Sequence, residues 1–391
     1  MPLAGCRHMT RILVAEFLLA NAEASRNASR SMLNEAAAML TAVATDLALA
    51  PNTDVTVLLS PETDPSTATL PSVRFIYGDL RPETLQYILR GHTNQSPYDA
   101  VLLIAPECDG VLVSLLKSIQ EQPAMQIRSL NLNWRLAEIF ADKRATDSWL
   151  RQHRIATIPT KTVSDTLASL LQRAAASRER RGFSPPSECN VLGGLTPCRS
   201  PEYSHDFTGQ FAVLKPRDGA GAGGVQVVPF VREKFEELQQ QHSDDDKWLL
   251  QPYLQGVACS VGFIGGGPHG PTTILPPARQ NIVTSGGRLS YQGGQIPCEP
   301  ELVACIEPIA ERLATAFGPF DGYVGVDLLV DLSVPTEAQA SVRVVEVNPR
   351  LCTSYVGYRM LTVDNLATWI LQQNTGHEIR WKSETIQFST I

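Results

Sequence analysis

Along this chain the spacing of apolar positions changes period several times, and each change marks an element. Residues 11–15 read as a short apolar strand. Over residues 30–49, Leu33, Ala36, Ala37, Leu40, Val43 and Leu47 recur at helical spacing and predict an amphipathic helix. Strands follow at 54–59, 73–77 and 99–104, with helices at about 82–91 and 109–121. Strands alternating with helices predict a parallel sheet. This gives a small α/β domain over residues 10–134, behind a disordered tail at 1–9. One or two helices over 131–154 carry Lys143, and residues 164–181 form another, whose basic end Arg178-Glu179-Arg180-Arg181 reads as a solvated terminus. Residues 182–206, dense in proline, glycine and serine, read as a long loop. Such a loop is either a lid or a surface insertion without a role.

The C-terminal third turns to strands. Residues 342–348, V-R-V-V-E-V-N, are rich in β-branched residues and stop before Pro349. Alternation places Glu346 and Asn348 on one face and Val345 and Val347 on the other. Residues 323–330 form a second strand with Asp327 at its middle, and the segment between is a hairpin loop. An antiparallel register about that loop brings Asp327 near Glu346. Oxygen donors on adjacent strands suit magnesium, which keeps several waters and takes further ligands from phosphates. The plain alternative is a charged patch on a solvated face. Against it, Asp327 sits in a strongly apolar run, where an unpaired carboxylate is costly to bury.

A glycine loop lies upstream: F-A-V-L-K-P-R-D, then G-A-G-A-G-G, then V-Q-V-V-P. The dinucleotide fingerprint needs a helix directly after the glycines, whereas a strand follows here. The Gly-Lys-Ser/Thr ending of a Walker loop is absent, as are the H-R-D and D-F-G segments of protein kinases. What remains is a β-hairpin tip at Gly219, Gly221, Gly223 and Gly224 whose backbone N–H groups can reach phosphate oxygens. Lys215, on the strand before it, brings a positive charge to the same place. An ordinary flexible hairpin is the alternative.

Taken together and in this order, these stretches resemble the ATP-grasp family over roughly residues 140–376. The resemblance implies an α/β ATP-grasp fold. In it, the N-terminal domain precedes a lid subdomain (135–250) and a C-terminal subdomain (251–391) that bears the metal site, with ATP between these two. It implies that Lys143 and Lys215 hold the α- and β-phosphates, and that the hinge Gln251, Tyr253 and Leu254 takes the adenine. Mg2+ (or Mn2+) falls on Asp327, Glu346 and Asn348, and Arg279 and Arg350 meet the transferred phosphoryl group as catalytic residues. Two positions depart from the family pattern: Gln251 stands where glutamate is common, and Ala258 where a ribose-binding acid is common.

The stretches R-I-L-V-A-E-F, S-M-L-N-E-A-A-A-M-L, P-P-A-R-Q-N-I, Y-Q-G-G-Q-I-P and N-P-R-L-C-T-S-Y-V-G-Y-R resemble, more narrowly, the ligases that join L-glutamate to tyramine in methanofuran biosynthesis, and their bacterial relatives. That implies an ATP-dependent carboxylate–amine ligase acting through an acyl phosphate on the γ-carboxylate of glutamate. Ser354, Tyr355 and Arg359 would line the substrate site. Tyr355 or Tyr358 would lie beside the amine's ring, and Arg359 would pair with the α-carboxylate; core packing of one tyrosine weighs equally. Glu16, after the first strand, either faces the amine or is a lone exposed glutamate, with the second reading slightly favoured. An ATP-grasp ligase for another carboxylate/amine pair stays open. So does a non-catalytic nucleotide-binding regulator, which Ala258 permits.

Composition narrows the class. Hydrophobic residues at 43% and charged residues at 19% suit a soluble enzyme. A net charge of −7 gives no electrostatic reason to expect nucleic acid or an anionic membrane as partner. Eight scattered cysteines without a C-x-x-C pair suit reduced thiols in the cytosol. No apolar run is read as membrane-spanning, and residues 1–9 lack a signal-peptide core. The expectation is a cytoplasmic enzyme with small-molecule substrates, with room for a homodimer.

Overall fold

The structure is a computed structural model. It describes the chain apart from residues 1–8, 65–69, 71, 92–95, 123–125, 182–210, 220–223, 242–246, 286–287, 334–341, 375–376 and 390–391. The loop expected at 182–206, the tail at 1–8 and the glycines Gly221 and Gly223 therefore lie outside the described residues. Two compact units emerge, one made of residues 1–157, 218–223 and 255–391, the other of 158–217 and 224–254.

The first unit opens with β1 (Thr10–Glu16), α1 (Phe17–Ala20), α2 (Ala22–Asn27), α3 (Arg30–Leu49), β2 (Thr53–Leu59), β3 (Arg74–Tyr77), α4 (Pro82–Arg90), β4 (Ala100–Ile104), α5 (Val111–Gln120) and β5 (Arg128–Ser129). The strands form one parallel sheet in the order β3-β2-β1-β4-β5, as the alternation predicted. Parallel sheets need cover on both faces, and the side-chain alternation shows how it is met. Ile12, Val14, Val55 and Val57 pack with Ala36, Leu40, Val43 and Leu47 of α3. Leu13, Leu58, Val101 and Leu103 pack on the other face with Leu85, Leu89, Leu112 and Leu116 of α4 and α5. Ser29 caps α3, its hydroxyl accepting from Met32 N at 3.3 Å. This helix is long and apolar enough to cross a membrane by length and composition alone. Here its apolar stripe is the cover of the sheet.

Next come α6 (Trp134–Ala141) and α7 (Lys143–Gln152). Asp142 caps α7, its Oδ1 accepting from Arg144 N and Ala145 N at 2.9 and 3.2 Å. The cap fixes Lys143 as the first helical residue.

The second unit contains β6 (Lys161–Thr162), α8 (Val163–Arg181), β7 (Phe211–Pro216), β8 (Gln226–Pro229), α9 (Arg232–Gln241) and β9 (Trp248–Pro252). Its strands are antiparallel, with β7 between β8 and β9 and with β6 on β9. Val163, Leu167, Ala212, Leu214, Phe235, Leu238 and Leu250 close a small core of their own.

The first unit resumes with β10 (Val257–Ile264), β11 (Thr273–Ile274), β12 (Ala278–Ser285), β13 (Arg288–Ile296), α10 (Pro300–Phe317), β14 (Tyr323–Val330), β15 (Val342–Asn348), α11 (Ser354–Leu361), α12 (Ala367–Ile370) and β16 (Ile386–Phe388). The strands run antiparallel in the order β15-β14-β10-β12-β13, with β11 on β10 and β16 on β13. One face, with Cys259, Val261, Val324, Val326 and Leu328, packs with Leu302, Ile306, Ile309 and Leu313 of α10. The opposite face carries Asp327.

Candidate functional site

The hairpin of β14 and β15 sets the centre of the site. Its register pairs Asp327 with Glu346, as the sequence predicted, and Gly325 with Asn348. One step was not foreseen. Asp327 pairs with Glu346 while Leu328 pairs with Val344, so Val345 is an extra residue in a β-bulge. Strict alternation would put Val345 and Val347 on one face. Instead Val342, Val344 and Val347 join the core and Val345 is left half-buried beside it. The bulge resets the phase so that Glu346 and Asn348 still face Asp327.

Around Asp327 the polar groups close tightly. Asn348 Nδ2 donates to Asp327 Oδ2 at 3.1 Å, and Gln280 Nε2 donates to Asp327 Oδ1 at 2.7 Å. Burial and then the charge of Glu346 push the Asp327 carboxyl up to about 6, while the two amides oppose the rise. Glu346 Oε1 lies 3.2 Å from Lys143 Nζ, with side-chain exposures of 16% and 7%. Lys143 Nζ also donates to the carbonyl of Gly219, at the base of the glycine loop. The first lysine, two carboxylates and the amide thus meet. Among the described residues no group of three or more His, Cys, Asp and Glu side chains converges as a metal site. Two carboxylates and an amide still fit magnesium, which draws the rest of its shell from water and phosphate.

Arg350, just beyond β15, is partly buried, with 14% side-chain exposure. Its Nε lies 2.9 Å from Glu107 Oε1, and Nη1 donates to the carbonyl of Leu351 at 3.2 Å. Neither Arg350 Nε nor either Glu107 oxygen is aligned for a hydrogen bond. Burial works against the Arg350 charge, but Glu107 and the other anions nearby hold its pKa above the ordinary value. Glu16, the last residue of β1, is buried and not exposed. Its Oε2 accepts from Leu19 N at 3.0 Å, and burial pushes its carboxyl up to about 8 while the charge of Arg350 opposes this. Burial also raises the Cys352 thiol to about 12.

Several expected residues are placed elsewhere. Arg279 pairs with Glu299 at 2.6 Å, half-exposed, on the face opposite Asp327. The register shows why. Cys259 pairs with both Arg279 and Leu328, which places Arg279 on the α10 side, whereas Ser260 pairs with both Ala278 and Asp327. The neighbour, Gln280, therefore faces the carboxylate. Tyr355 and Tyr358 are both fully buried. Tyr355 donates its hydroxyl proton to Asp46 Oδ2 at 2.9 Å, and the Tyr358 hydroxyl accepts from Gly262 N at 3.2 Å. Arg359 grips Asp46 through Nη2 at 2.8 Å and Nε at 3.1 Å. Ser354 is buried with its Oγ 3.1 Å from Tyr323 Oη. These contacts correct the expectation that Ser354, Tyr355 and Arg359 line a substrate site. They anchor α11 in the core, chiefly to α3.

In the second unit Lys215 is buried on β7 in register with Leu249. Gln251 is buried on β9, its Nε2 donating to Thr160 Oγ1 at 2.8 Å, which gives a neutral amide a role where glutamate is common. Tyr253 and Leu254 follow β9 half-buried, with Tyr253 N bonded to the carbonyl of Phe211 at 3.2 Å. Gly224 has φ +77°, a backbone that side chains rarely adopt, at the far end of the glycine loop.

Residues 190–354 match the family model for the ATP-grasp domain. The chain is 26% identical over 145 residues to the tyramine–L-glutamate ligase of Methanocaldococcus fervens, covering 37% of this chain and 44% of that one. The same enzyme of Methanocaldococcus jannaschii is 26% identical over 145 residues, covering 37% of this chain and 42% of its own length. This chain thus spans under half the length of the curated relatives it matches. Among solved structures, N5-carboxyaminoimidazole synthetase from Staphylococcus aureus is similar with a TM-score of 0.61 at 12% identity, covering 96% of this chain and 80% of that one. The L-amino acid ligase from Bacillus licheniformis is similar with a TM-score of 0.56 at 15% identity, covering 94% and 74%. The chain carries an ATP-grasp domain and has the ATP-grasp fold, as the glycine loop and the paired strands implied.

Proposed function

We propose that the protein is an ATP-dependent carboxylate–amine ligase acting through an acyl phosphate. The observation that carries the reading is the convergence of Asp327, Glu346 and Asn348 with Lys143 across the β14–β15 register. A carboxylate does not condense with an amine in water because its oxygen is a poor leaving group. Attack of the carboxylate on the γ-phosphate of ATP gives an acyl phosphate and ADP; the amine then attacks the acyl carbon and phosphate leaves. Such transfer asks for positioning and charge neutralisation and needs little covalent help from the protein. Lys143 and Lys215 would hold phosphate oxygens, and Arg350, held by Glu107 and the Leu351 carbonyl, would face the transferred phosphoryl group with its remaining edge. A bound magnesium would neutralise phosphate charge, held by Asp327, Glu346 and Asn348.

For substrates, the names of the curated relatives favour L-glutamate and tyramine. The test is a panel: the protein with ATP, magnesium and glutamate, plus tyramine, tyrosine or an aliphatic amine, read by ADP release and product mass. A γ-glutamyl adduct of tyramine, with ADP release that requires both substrates, is expected. Turnover only on an aliphatic pair would remove the substrate assignment and keep the ligase. Nucleotide binding without ADP release on any pair would favour a nucleotide-binding regulator.

A further inference from the structure

We propose that Gln280 is a positioning residue of the metal site, holding Asp327 in the orientation that a divalent cation needs. The inference rests on the reading of Asp327, Glu346 and Asn348 as cation ligands. Gln280 lies on β12, which is separated from β14 by β10. To reach Asp327 its side chain must cross β10, and the residues on that face are small: Ala278 and Ser260, the latter paired with Asp327 itself. Beyond Gln280 the pairing of β12 with β13 slips. Gln280 pairs with Gly294 but Ile282 pairs with Tyr291, which inserts one extra residue on β13. Gly293 takes φ +103° there, and a Cβ on Gly294 would come within 2.6 Å of the Arg279 carbonyl. Glycines thus permit a bulge beside the residue that reaches Asp327. Bulges next to sites commonly re-aim a side chain.

The two amides on Asp327 are not equivalent. Asn348 occupies Oδ2 and Gln280 occupies Oδ1. Asn348 offers a cation its amide oxygen, so its present N–H bond competes with that role. Gln280 comes from outside the ligand set, and its bond to Oδ1 is compatible with a cation on Oδ2. A donor behind a ligating carboxylate fixes its rotation and is worth about 10–100-fold in metal affinity.

The experiment is calorimetric titration of ADP into wild type and Gln280→Leu, with Mn2+ and with chelator. Gln280→Leu keeps the bulk and removes the donor. Wild type is expected to bind ADP more tightly with Mn2+, and the variant to lose about 10–100-fold of that enhancement. Losing a donor to Asp327 should lower the urea midpoint somewhat, but the metal-free ADP affinity should stay within about twofold; a merely structural residue would lower ADP affinity equally with and without Mn2+. Gln280→Asn, one methylene short of Asp327, should fail in the same direction and serves if the leucine variant does not fold. Full Mn2+ enhancement in either folded variant overturns the inference and leaves the cation site standing. Wild-type ADP binding indifferent to Mn2+ removes the cation site, and the inference with it.

Discussion

Replacing Arg359 by methionine should cost stability and leave recognition of the carboxylate substrate unchanged. Asp46, on α3, is buried to 8% side-chain exposure and accepts from Tyr355 Oη, Arg359 Nε and Arg359 Nη2. Asn365 Nδ2 also donates to its backbone carbonyl at 2.7 Å. Breaking a fully buried ion pair costs roughly 3–5 kcal/mol. Arg359 keeps 34% exposure, so water screens part of the attraction and about 2–3 kcal/mol is the better figure. Asp46→Ala adds the orphaned hydroxyl of the fully buried Tyr355, about 1–3 kcal/mol more. Asp46→Asn keeps an acceptor for that hydroxyl and should lose about 1–2 kcal/mol.

Urea denaturation reads these losses as shifts of midpoint at constant slope. Asp46→Asn with Arg359→Met should cost less than the sum of the two, by about 1 kcal/mol or more, because both remove one interaction. In steady state, Arg359→Met at a temperature where it is folded should keep the wild-type KM for whichever carboxylate substrate the panel identifies. A wild-type urea midpoint together with a KM raised tenfold or more would refute the reasoning and return Arg359 to the substrate.

Three further outcomes are expected. Glu346→Ala and Asn348→Ala should abolish ADP formation in folded protein, a barrier increase of several kcal/mol since charge stabilisation by the metal is lost; near wild-type turnover in either would remove the ligand assignment. Lys143→Met should weaken ADP binding about tenfold and lower stability, because it leaves Glu346 without the cation 3.2 Å away; an unchanged dissociation constant would exclude Lys143 from the nucleotide. Glu16 has a folded-state carboxyl raised to about 8, so between about 4.5 and 8 the folded protein binds more protons than the unfolded chain. Stability then falls as pH rises through that window. Glu16→Gln keeps an oxygen to cap Leu19 N and should flatten the fall, gaining a few kcal/mol at pH 8; denaturation midpoints across pH that track the wild type would disprove it.

The contrast between Asp327 and Arg279 shows what the sequence could and could not reveal. Asp327 and Glu346 were legible because they lie on consecutive strands joined by one hairpin, so a single local register fixes their meeting. The bulge at Val345 was not legible, yet the prediction survived, since Glu346 and Asn348 remain two apart on the same face. Arg279 and Gln280 belong to a strand whose place in the sheet depends on non-consecutive pairings, β12 on β10 and β10 on β14. A slip of one residue turns every side chain to the other face, and nothing in P-P-A-R-Q-N indicates which phase holds. Charge favoured the arginine; register places the glutamine at the carboxylate. The same limit applies to α11. The sequence shows Tyr355, Tyr358 and Arg359 next to the strand of Glu346 and Asn348, but the partner that takes Tyr355 and Arg359 inward is Asp46, more than 300 residues earlier in the chain. Local pattern fixed the elements and the meeting of the hairpin-borne polar residues. Long-range pairing decided which polar side chains face Asp327 and which hold the fold together.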